Sequence, residues 1–420
     1  MSMFLNEIIE LDKKYYINTF GDRVPVSFTS GKGIKLTSTD GKEYTDLFAG
    51  VAVSALGHSH PALVKAITEQ AAKLLHCSNY YYVENQGKLA KLLVENSFAD
   101  KVFFSNSGAE ANEAAIKLAR GYFSKRAQAG DAGAAGKFEF ISLNNSFHGR
   151  TLATVAATGT AKYQAPFAPL PAGFKKVDAN DFEQLEAAAS HSVCAIILET
   201  IMGEGGVIPL TTSYLQKVRK LCDEKDILLI IDEVQTGLGR TGNLFGYQSH
   251  GILPDIMTLA KALGGGFPIG AMLTSDKVAS GFAPGDHGST FAGGPLACAA
   301  GLAAVEEIIN SKLTENAKKV GTFTYNALLE LQNQLSGENC TNGCPIIKEV
   351  RGQGLMIGIE LSCVNAGDVK NMCFENGYLV GIAGNNTLRL LPPLIVNEKD
   401  IQDFIPVLKS ILEKLGGVEK

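Results

Sequence analysis

Short apolar, β-branched runs alternate with segments of helical periodicity through the middle of the chain. This alternation is typical of βα units that build a mostly parallel sheet. Two segments with apolar residues at helical spacing, 108–125 and 213–225, can cover the faces of such a sheet. The pattern therefore predicts the α/β class, with strands at 102–104, 138–142, 195–198, 227–231, 256–259 and 271–273.

The alternation gives way to a strand-rich tail after about residue 310. A small C-terminal domain is therefore expected to follow a large one. We predict an N-terminal segment that contributes to the small domain, a large domain with the mostly parallel sheet, and a smaller α+β domain, at 1–60, 61–309 and 310–420.

Composition and charge argue against several classes of function. Of 420 residues, 45% are hydrophobic and 19% are charged, which allows a large buried core. The net charge of −5 lacks the positive field that attracts nucleic acids, and no apolar run reaches the roughly 18 residues of a membrane-spanning helix. Residues 1–12 lack the pattern of a secretory signal. We expect a cytoplasmic protein that acts on a small molecule, without nucleic-acid or membrane partners.

Two motifs indicate nucleotide chemistry when taken alone. GLGRTG at 237–242 matches the glycine pattern of dinucleotide-binding folds, but no helix is predicted to start at Gly242. LLIIDE at 228–233 looks like the metal-binding strand of P-loop nucleotide hydrolases, but the chain has no GxxxxGKS or GxxxxGKT phosphate loop. A nicotinamide oxidoreductase and a nucleotide hydrolase are therefore the weaker interpretations.

No metal site is predicted. His58 and His60 have no third ligand in a recognisable pattern, and a turn into a helix at Pro61 explains them more simply. The eight cysteines are dispersed, and only Cys340 and Cys344 are close together. Reduced thiols are expected.

A strand-to-helix turn at Ser107, Gly108 and Ala109 suits a phosphate. It combines a hydroxyl, free backbone N–H groups and the positive end of a helix dipole. A serine at this position is also a common helix cap. The hydroxyls of Ser289 and Thr290 could complete a phosphate site.

Asp232 and Lys261 each follow an apolar strand. A carboxylate at that edge of a parallel sheet lies where α/β proteins bind ligands, and it can keep a pyridine nitrogen protonated. Lys261 precedes three glycines that let the backbone approach a bulky ligand, and lysine amines form Schiff bases. A loop carboxylate and a solvated lysine are the alternatives.

Phe147 and Arg150 stand within one turn of each other. The phenyl ring could stack on a planar ligand, and the guanidinium could bind a carboxylate through two hydrogen bonds. A surface ion pair is the alternative for Arg150.

Taken together, these stretches resemble the class III aminotransferases, which use pyridoxal 5′-phosphate and have fold type I. The resemblance covers nearly the whole chain in the family's order. It rests on KVFFSNSGAEANEAAIKLAR, SFHGRTLAT, IDEVQTGLGRTG, LAKALGGGFPIGA and HGSTFAGGPLACAA, among others. Within the family it is strongest to members that act on N2-acetyl-L-ornithine, which implies transfer of the terminal amino group to 2-oxoglutarate.

The resemblance implies how the cofactor ring is held. Lys261 would carry the cofactor as a Schiff base, and Asp232 would pair with the pyridine nitrogen. Gln235 would contact the ring hydroxyl. Phe147 would stack on one ring face and Val234 would pack on the other.

It also implies the phosphate site. Gly108 and Ala109 would bind the phosphate through backbone N–H groups, with help from Ser107. Thr290 would reach the phosphate of a neighbouring subunit, so a homodimer with shared active sites is expected.

Four further residues would bind substrates by resemblance. Arg150 and Ser289 would hold the carboxylate end of the amino donor. Arg389 would receive the α-carboxylate of 2-oxoglutarate, and Glu204 would be its switchable partner. Other ω-aminotransferases, acting on succinylornithine, ornithine or 4-aminobutyrate, stay open as alternatives, as does a decarboxylase or aminomutase that uses the same cofactor.

Overall fold

Residues 4–335 and 344–417 are described by the computed structural model. The helices are α1 (Leu5–Tyr15), α2 (Ala49–Ala52), α3 (Pro61–Lys73), α4 (Glu84–Glu95), α5 (Gly108–Gln128), α6 (Leu152–Ala157), α7 (Ala161–Gln164), α8 (Phe182–Ala188), α9 (Thr212–Lys225), α10 (Asp276–Ala279), α11 (Pro295–Asn310), α12 (Leu313–Leu335), α13 (Ala366–Glu375) and α14 (Glu398–Gly416). The strands are β1 (Phe28–Lys32), β2 (Lys35–Ser38), β3 (Glu43–Asp46), β4 (Lys101–Ser105), β5 (Glu139–Leu143), β6 (Phe174–Val177), β7 (Val193–Leu198), β8 (Ile201–Met202), β9 (Ile208–Pro209), β10 (Leu228–Asp232), β11 (Ile256–Leu259), β12 (Gly270–Thr274), β13 (Ile347–Gln353), β14 (Met356–Leu361), β15 (Tyr378–Leu379), β16 (Gly381–Ala383) and β17 (Thr387–Leu390).

A seven-stranded sheet in the order β4-β12-β11-β10-β7-β5-β6 forms the centre of the molecule. Only β12 runs antiparallel to its neighbours among these strands. Every residue of β7, β10, β11 and β12 is buried, as expected for strands that are covered on both faces. The α/β class and the mostly parallel sheet are confirmed, and all six predicted strands are present.

Strand β6 was not predicted. It lies at the edge of the sheet and contains Lys175 and Lys176, so its sequence lacks the continuous apolar run of a central strand. An edge strand needs apolar cover for only part of its length, which makes it hard to recognise from hydrophobicity.

The carboxyl ends of the parallel strands gather the candidate residues at one edge of the sheet. Asp232 ends β10 and is in register with Thr258 of β11, and Lys261 follows β11 by two residues. Ser107 follows the end of β4, which runs parallel to β11 because β12 is antiparallel to both. This edge is where ligands of α/β sheets bind.

Besides the two-stranded pair β8-β9, two four-stranded sheets accompany the central one. The first has the order β1-β2-β3-β15, so its last strand comes from the C-terminal part of the chain. The second has the order β13-β14-β17-β16 and carries Arg389, which is in register with Gly358 and Gly381. The division into parts at 1–60, 61–309 and 310–420 stays a prediction.

The turn α2 is left-handed. Ala49, Gly50, Val51 and Ala52 have φ of 50°, 61°, 64° and 66°, a conformation that costs about 1–2 kcal/mol for each residue with a side chain. Asp46 stabilises the turn, since its Oδ1 accepts hydrogen bonds from the N–H groups of Phe48 and Ala49 and its Oδ2 lies 2.8 Å from His58 Nε2. The strained turn ends beside Val53, which lines a cavity near the ends of the central strands.

Two further expectations from the sequence concern the state of the cysteines and the presence of membrane-spanning helices. Cys363 is disulfide-bonded, so the expectation of reduced thiols is wrong for this residue, whereas Cys194 and Cys298 are buried free thiols. Cys340 lies outside the described residues, and Cys344 is exposed. Within the two described ranges, no helix is both long and apolar enough to cross a bilayer.

Candidate active site

A cavity of about 410 Å³ opens at the carboxyl edge of the central sheet. Its volume lies in the usual range for small-molecule sites, roughly 300–1,000 Å³. The walls come from loops that follow separate strands, which explains why residues distant in sequence meet there. They include Val53, Asn106, Ser107, Gly108, Ala109, Asn112, Phe147, His148, Arg150, Glu199, Glu204, Asp232, Val234, Gln235 and Lys261.

The first turn of α5 forms one wall of the cavity. Ser107 caps the helix, because its Oγ accepts a hydrogen bond of 3.2 Å from the N–H of Glu110. The N–H groups of Gly108 and Ala109 have no acceptor within the helix, since they belong to its first turn. A Cβ at residue 108 would lie 2.8 Å from Cγ1 of Val234, so only glycine allows this close approach. The turn therefore presents free donors suited to an anion.

Asp232 is buried and held from two sides. Its Oδ2 accepts hydrogen bonds of 2.8 Å each from Asn112 Nδ2 and His148 Nδ1, and its Oδ1 accepts one of 3.0 Å from the N–H of Val234. Asn112 is itself fixed, because its Oδ1 accepts a bond of 2.7 Å from the Thr258 hydroxyl. The carboxylate thus has a fixed orientation in the wall of the cavity.

Lys261 is half-buried and lies at the edge of the same cavity. Its backbone has φ of 48°, an unfavourable conformation of the kind found at functional sites. Burial lowers the pKa of the Lys261 amine below that of an ordinary lysine, which increases its neutral, nucleophilic fraction.

Glu199 is a buried carboxyl group that the sequence did not single out. It lines the cavity and accepts a hydrogen bond of 3.4 Å from the N–H of Phe147. Burial, and after it the nearby Asp232 carboxylate, raises the pKa of Glu199 well above its usual range. The neutral form of Glu199 therefore avoids placing a second negative charge beside Asp232.

Arg389 is buried and paired. Its Nη1 donates to Glu204 Oε1 at 2.6 Å and to the carbonyl of Gly203 at 2.9 Å, and it lies 3.4 Å from Gln235 Oε1. Burial would raise the pKa of Glu204, but the Arg389 guanidinium reverses this and lowers it. Glu204 and Gln235 line the cavity, so they connect Arg389 to it.

Arg150 is exposed and has no carboxylate partner among the described residues. Its Cζ lies 3.7 Å from the centroid of the Tyr163 ring and 5.4 Å from that of Phe147. The two arginines therefore have unlike surroundings: Arg389, behind Glu204 and Gln235, is neutralised by a carboxylate, whereas Arg150 lines the cavity and lies on an aromatic ring.

Ser289 and Thr290 do not line the cavity. Ser289 Oγ accepts a hydrogen bond of 3.0 Å from Asn106 Nδ2, and Asn106 does line it, so Ser289 lies behind the turn at the start of α5. Thr290 is exposed on the surface of the single chain.

Sequence reasoning missed the roles of Asn112, His148, Glu199 and Tyr163. Asn112 had a recognisable signal, since it is a polar residue on the apolar face of α5, one turn after Gly108. Glu199 directly follows the fully buried β7, as Asp232 ends β10, and this position could have marked it. Tyr163 had no signal, because its contact depends on how α7 packs.

The arrangement permits a defined chemistry. A neutral amine can bond to a carbonyl carbon, a fixed carboxylate can hold a ring nitrogen, free N–H groups can bind a phosphate, and two arginines can bind carboxylates.

Comparison with known proteins agrees with this chemistry. Residues 16–412 match the family model described as Aminotransferase class-III. An acetylornithine aminotransferase of Caldanaerobacter subterraneus subsp. tengcongensis is 47% identical over 408 residues, which cover 97% of this chain and 100% of that protein.

Two solved structures are similar over nearly the full length. The N-acetylornithine aminotransferase of Stenotrophomonas maltophilia K279a has a TM-score of 0.80 and 35% identity, covering 98% of this chain and 100% of that one. The ornithine aminotransferase of Toxoplasma gondii, in a structure with PLP partially occupying its active site, has a TM-score of 0.90 and 31% identity, covering 98% and 95%.

The lowered pKa of Lys261 can be tested by reductive methylation of the cofactor-free protein with formaldehyde. Only the neutral amine reacts, so Lys261 should label with a midpoint at lower pH than an exposed lysine, whose pKa is about 10.4. Lys220 provides an internal control, since 76% of its side chain is exposed. Peptide mapping across a pH series measures both midpoints, and equal midpoints would contradict the effect of burial.

Proposed function

Because this chain belongs to the class III aminotransferases, we propose that it transfers the terminal amino group of N2-acetyl-L-ornithine to 2-oxoglutarate. The products are N-acetyl-L-glutamate 5-semialdehyde and L-glutamate, and the reaction is a step of arginine biosynthesis. The observation that carries the proposal is that Lys261 and Asp232 line one cavity together with Arg150, while Arg389 is joined to the same cavity through Glu204.

The residues present fit pyridoxal 5′-phosphate. The free N–H groups of Gly108 and Ala109 suit its phosphate, with the Ser107 hydroxyl beside them. Asp232, already oriented by two donors, suits the pyridine nitrogen, and the Lys261 amine suits the aldehyde.

The remaining cavity walls suit a flat aromatic ring. We assign Phe147 and Val234 to its two faces and Gln235 to its hydroxyl, since all three line the cavity. Such a ring would be held by contacts on both faces, at its charged nitrogen and at its phosphate.

Lys261 has two tasks in this proposal. When bound, pyridoxal phosphate supplies a carbonyl that exchanges amines and a ring that withdraws electrons from the carbon next to them. Lys261 Nζ would hold the cofactor before the donor binds, and the neutral Lys261 amine would then be the base for the proton on the donor carbon. Burial favours this step, because it keeps a larger fraction of the amine unprotonated.

Asp232 keeps the site ready for this proton transfer. A carboxylate beside the ring nitrogen stabilises the protonated ring, and a fixed donor set avoids reorganisation during the reaction. The neutral form of Glu199, favoured by burial and by Asp232, leaves one negative charge at this point.

The two substrates differ in the number of arginines that they need. Acetylornithine carries one carboxylate, and we assign it to Arg150, which lines the cavity, whereas Ser289 lies behind the α5 turn. Meanwhile Glu204 neutralises Arg389. The dicarboxylate 2-oxoglutarate needs a second cation, so Glu204 must leave Arg389 for the α-carboxylate of 2-oxoglutarate to bind.

The surroundings of Arg150 favour a blocked α-nitrogen. The acetylated nitrogen of the donor is neutral, whereas the free α-ammonium of ornithine would bring a positive charge close to the guanidinium. Arg150 has no carboxylate partner among the described residues, so no ion pair offsets its repulsion of that ammonium.

A donor series tests the substrate directly. We expect acetylornithine to give the highest specificity constant with 2-oxoglutarate among acetylornithine, succinylornithine, ornithine, lysine and 4-aminobutyrate. Arg150→Ala should raise KM for acetylornithine by about 10- to 100-fold, as expected for loss of a charged hydrogen-bonded pair.

Equal constants for ornithine and acetylornithine would contradict the proposed donor. Unchanged acetylornithine kinetics in Arg150→Ala would place the donor carboxylate elsewhere. Arg150→Lys serves as the matched control, since it keeps the charge but loses the planar fork of donors.

We also propose that the protein is a homodimer with shared active sites. An aromatic segment, Tyr80, Tyr81 and Tyr82, has exposures of 94%, 69% and 107%, a patch of the kind found at interfaces. Asn79 joins this segment to the Thr290 loop, because its Nδ2 donates to the carbonyls of Ser289 and Ala292. The patch and Thr290 thus share a face, as the neighbouring-subunit role of Thr290 requires.

Sedimentation velocity tests the dimer. The wild type should sediment at twice the mass of the chain, and Tyr82→Asp should shift it to the single-chain mass and weaken binding of pyridoxal phosphate. Leu253→Asp is the control, because Leu253 is 65% exposed but lies outside the aromatic segment. A wild type that is fully active at the single-chain mass would refute the shared site.

A further inference from the structure

The contact between Arg150 and Tyr163 is the closest cation–ring contact that Arg150 makes. The guanidinium carbon lies 3.7 Å from the centroid of the ring, which is the separation of stacked groups. The Tyr163 ring also meets Phe147 edge-on, at 6.0 Å and 85°. The side chain of Arg150 is long and exposed, so contact with this ring face restricts an orientation that would otherwise be free to vary.

Tyr163 is itself fixed relative to the Arg150 loop. It lies on α7, and its neighbour Gln164 donates through Nε2 to the carbonyls of Val155 and Thr158 at 3.0 and 2.7 Å. Those carbonyls end α6, the helix that begins directly after Arg150 and Thr151. Gln164 therefore ties the short helix α7 to the same element that carries Arg150.

An aromatic ring orders a cation without neutralising it. Glu204 holds Arg389 by opposite charge, so a substrate carboxylate must displace it. A ring face leaves the charge and the outward N–H donors of Arg150 free for a carboxylate. This difference means that Arg150 can be positioned before the donor binds.

We propose that Tyr163 is the positioning residue that orients Arg150 toward the distal carboxylate of the amino donor and so determines the enzyme's preference for donors that carry one. This inference rests on the proposed function, in which Arg150 binds that carboxylate. Tyr163 acts through Arg150 and takes no part in the proton transfer.

The test uses the holoenzyme and two donors that differ only in the carboxylate, acetylornithine and N-acetylputrescine. The donor half-reaction is followed by the cofactor's absorbance, so 2-oxoglutarate does not contribute. Tyr163→Leu should weaken the apparent affinity for acetylornithine by about tenfold with little change in the limiting rate, and should leave N-acetylputrescine unaffected. Tyr163→Phe, which keeps the ring, should restore the affinity for acetylornithine.

A double-mutant comparison separates the inference from the proposed function. In an Arg150→Ala background, Tyr163→Leu should cause no further loss, because both changes remove the same interaction. Equal losses for both donors, or a further loss in that background, would overturn the positioning role. If Arg150→Ala leaves acetylornithine unaffected, the carboxylate assignment itself fails. Tyr163→Met provides the same comparison if the leucine variant does not fold.

Discussion

The Asp232 carboxylate, fixed by Asn112 and His148, is the constraint on which the site depends. It places a negative charge in the buried carboxyl edge of a parallel sheet, where an unpaired charge is costly. Two donors satisfy one of its oxygens and a backbone N–H contacts the other, so the charge is both tolerated and oriented. Around it the neutral form of Glu199 and a larger neutral fraction of Lys261 are favoured, since burial shifts both pKa values toward the uncharged forms.

Strained backbone lies at the margins of this rigid centre. Lys261 and the turn Ala49–Ala52 have left-handed conformations that ordinary residues avoid, and the turn is stabilised by Asp46. Phe48, in the same segment, packs 5.4 Å from the Arg389 guanidinium. The strained turn thus lies between Arg389 and the cavity wall at Val53. Strain is tolerated where the surrounding contacts determine the conformation completely.

Much of the centre could be predicted from sequence, because apolar strands ending in chemical groups leave a clear local pattern. Asp232 and Lys261 follow such strands, and the resemblance to the class III family added the residues around them. Asn112 and Glu199 were missed because their roles depend on contacts with Asp232 and Phe147 that sequence spacing does not show. Tyr163 was missed because its position depends on the packing of a four-residue helix.

Edges and charged strands were also hard to predict. Strand β6 was missed because its lysines interrupt the apolar pattern. The resemblance led us to expect Glu204 beside Arg389, although the two lie 185 positions apart in sequence. The contact of Arg150 with the Tyr163 ring could not be foreseen, because it depends on packing.

Covalent attachment of pyridoxal phosphate to Lys261 can be measured by borohydride reduction of the holoenzyme followed by peptide mapping. We expect one peptide, containing Lys261, to carry the reduced cofactor, and Lys261→Ala to yield no such peptide although the protein stays folded. Attachment to another lysine, or full transamination by Lys261→Ala, would contradict the role of Lys261.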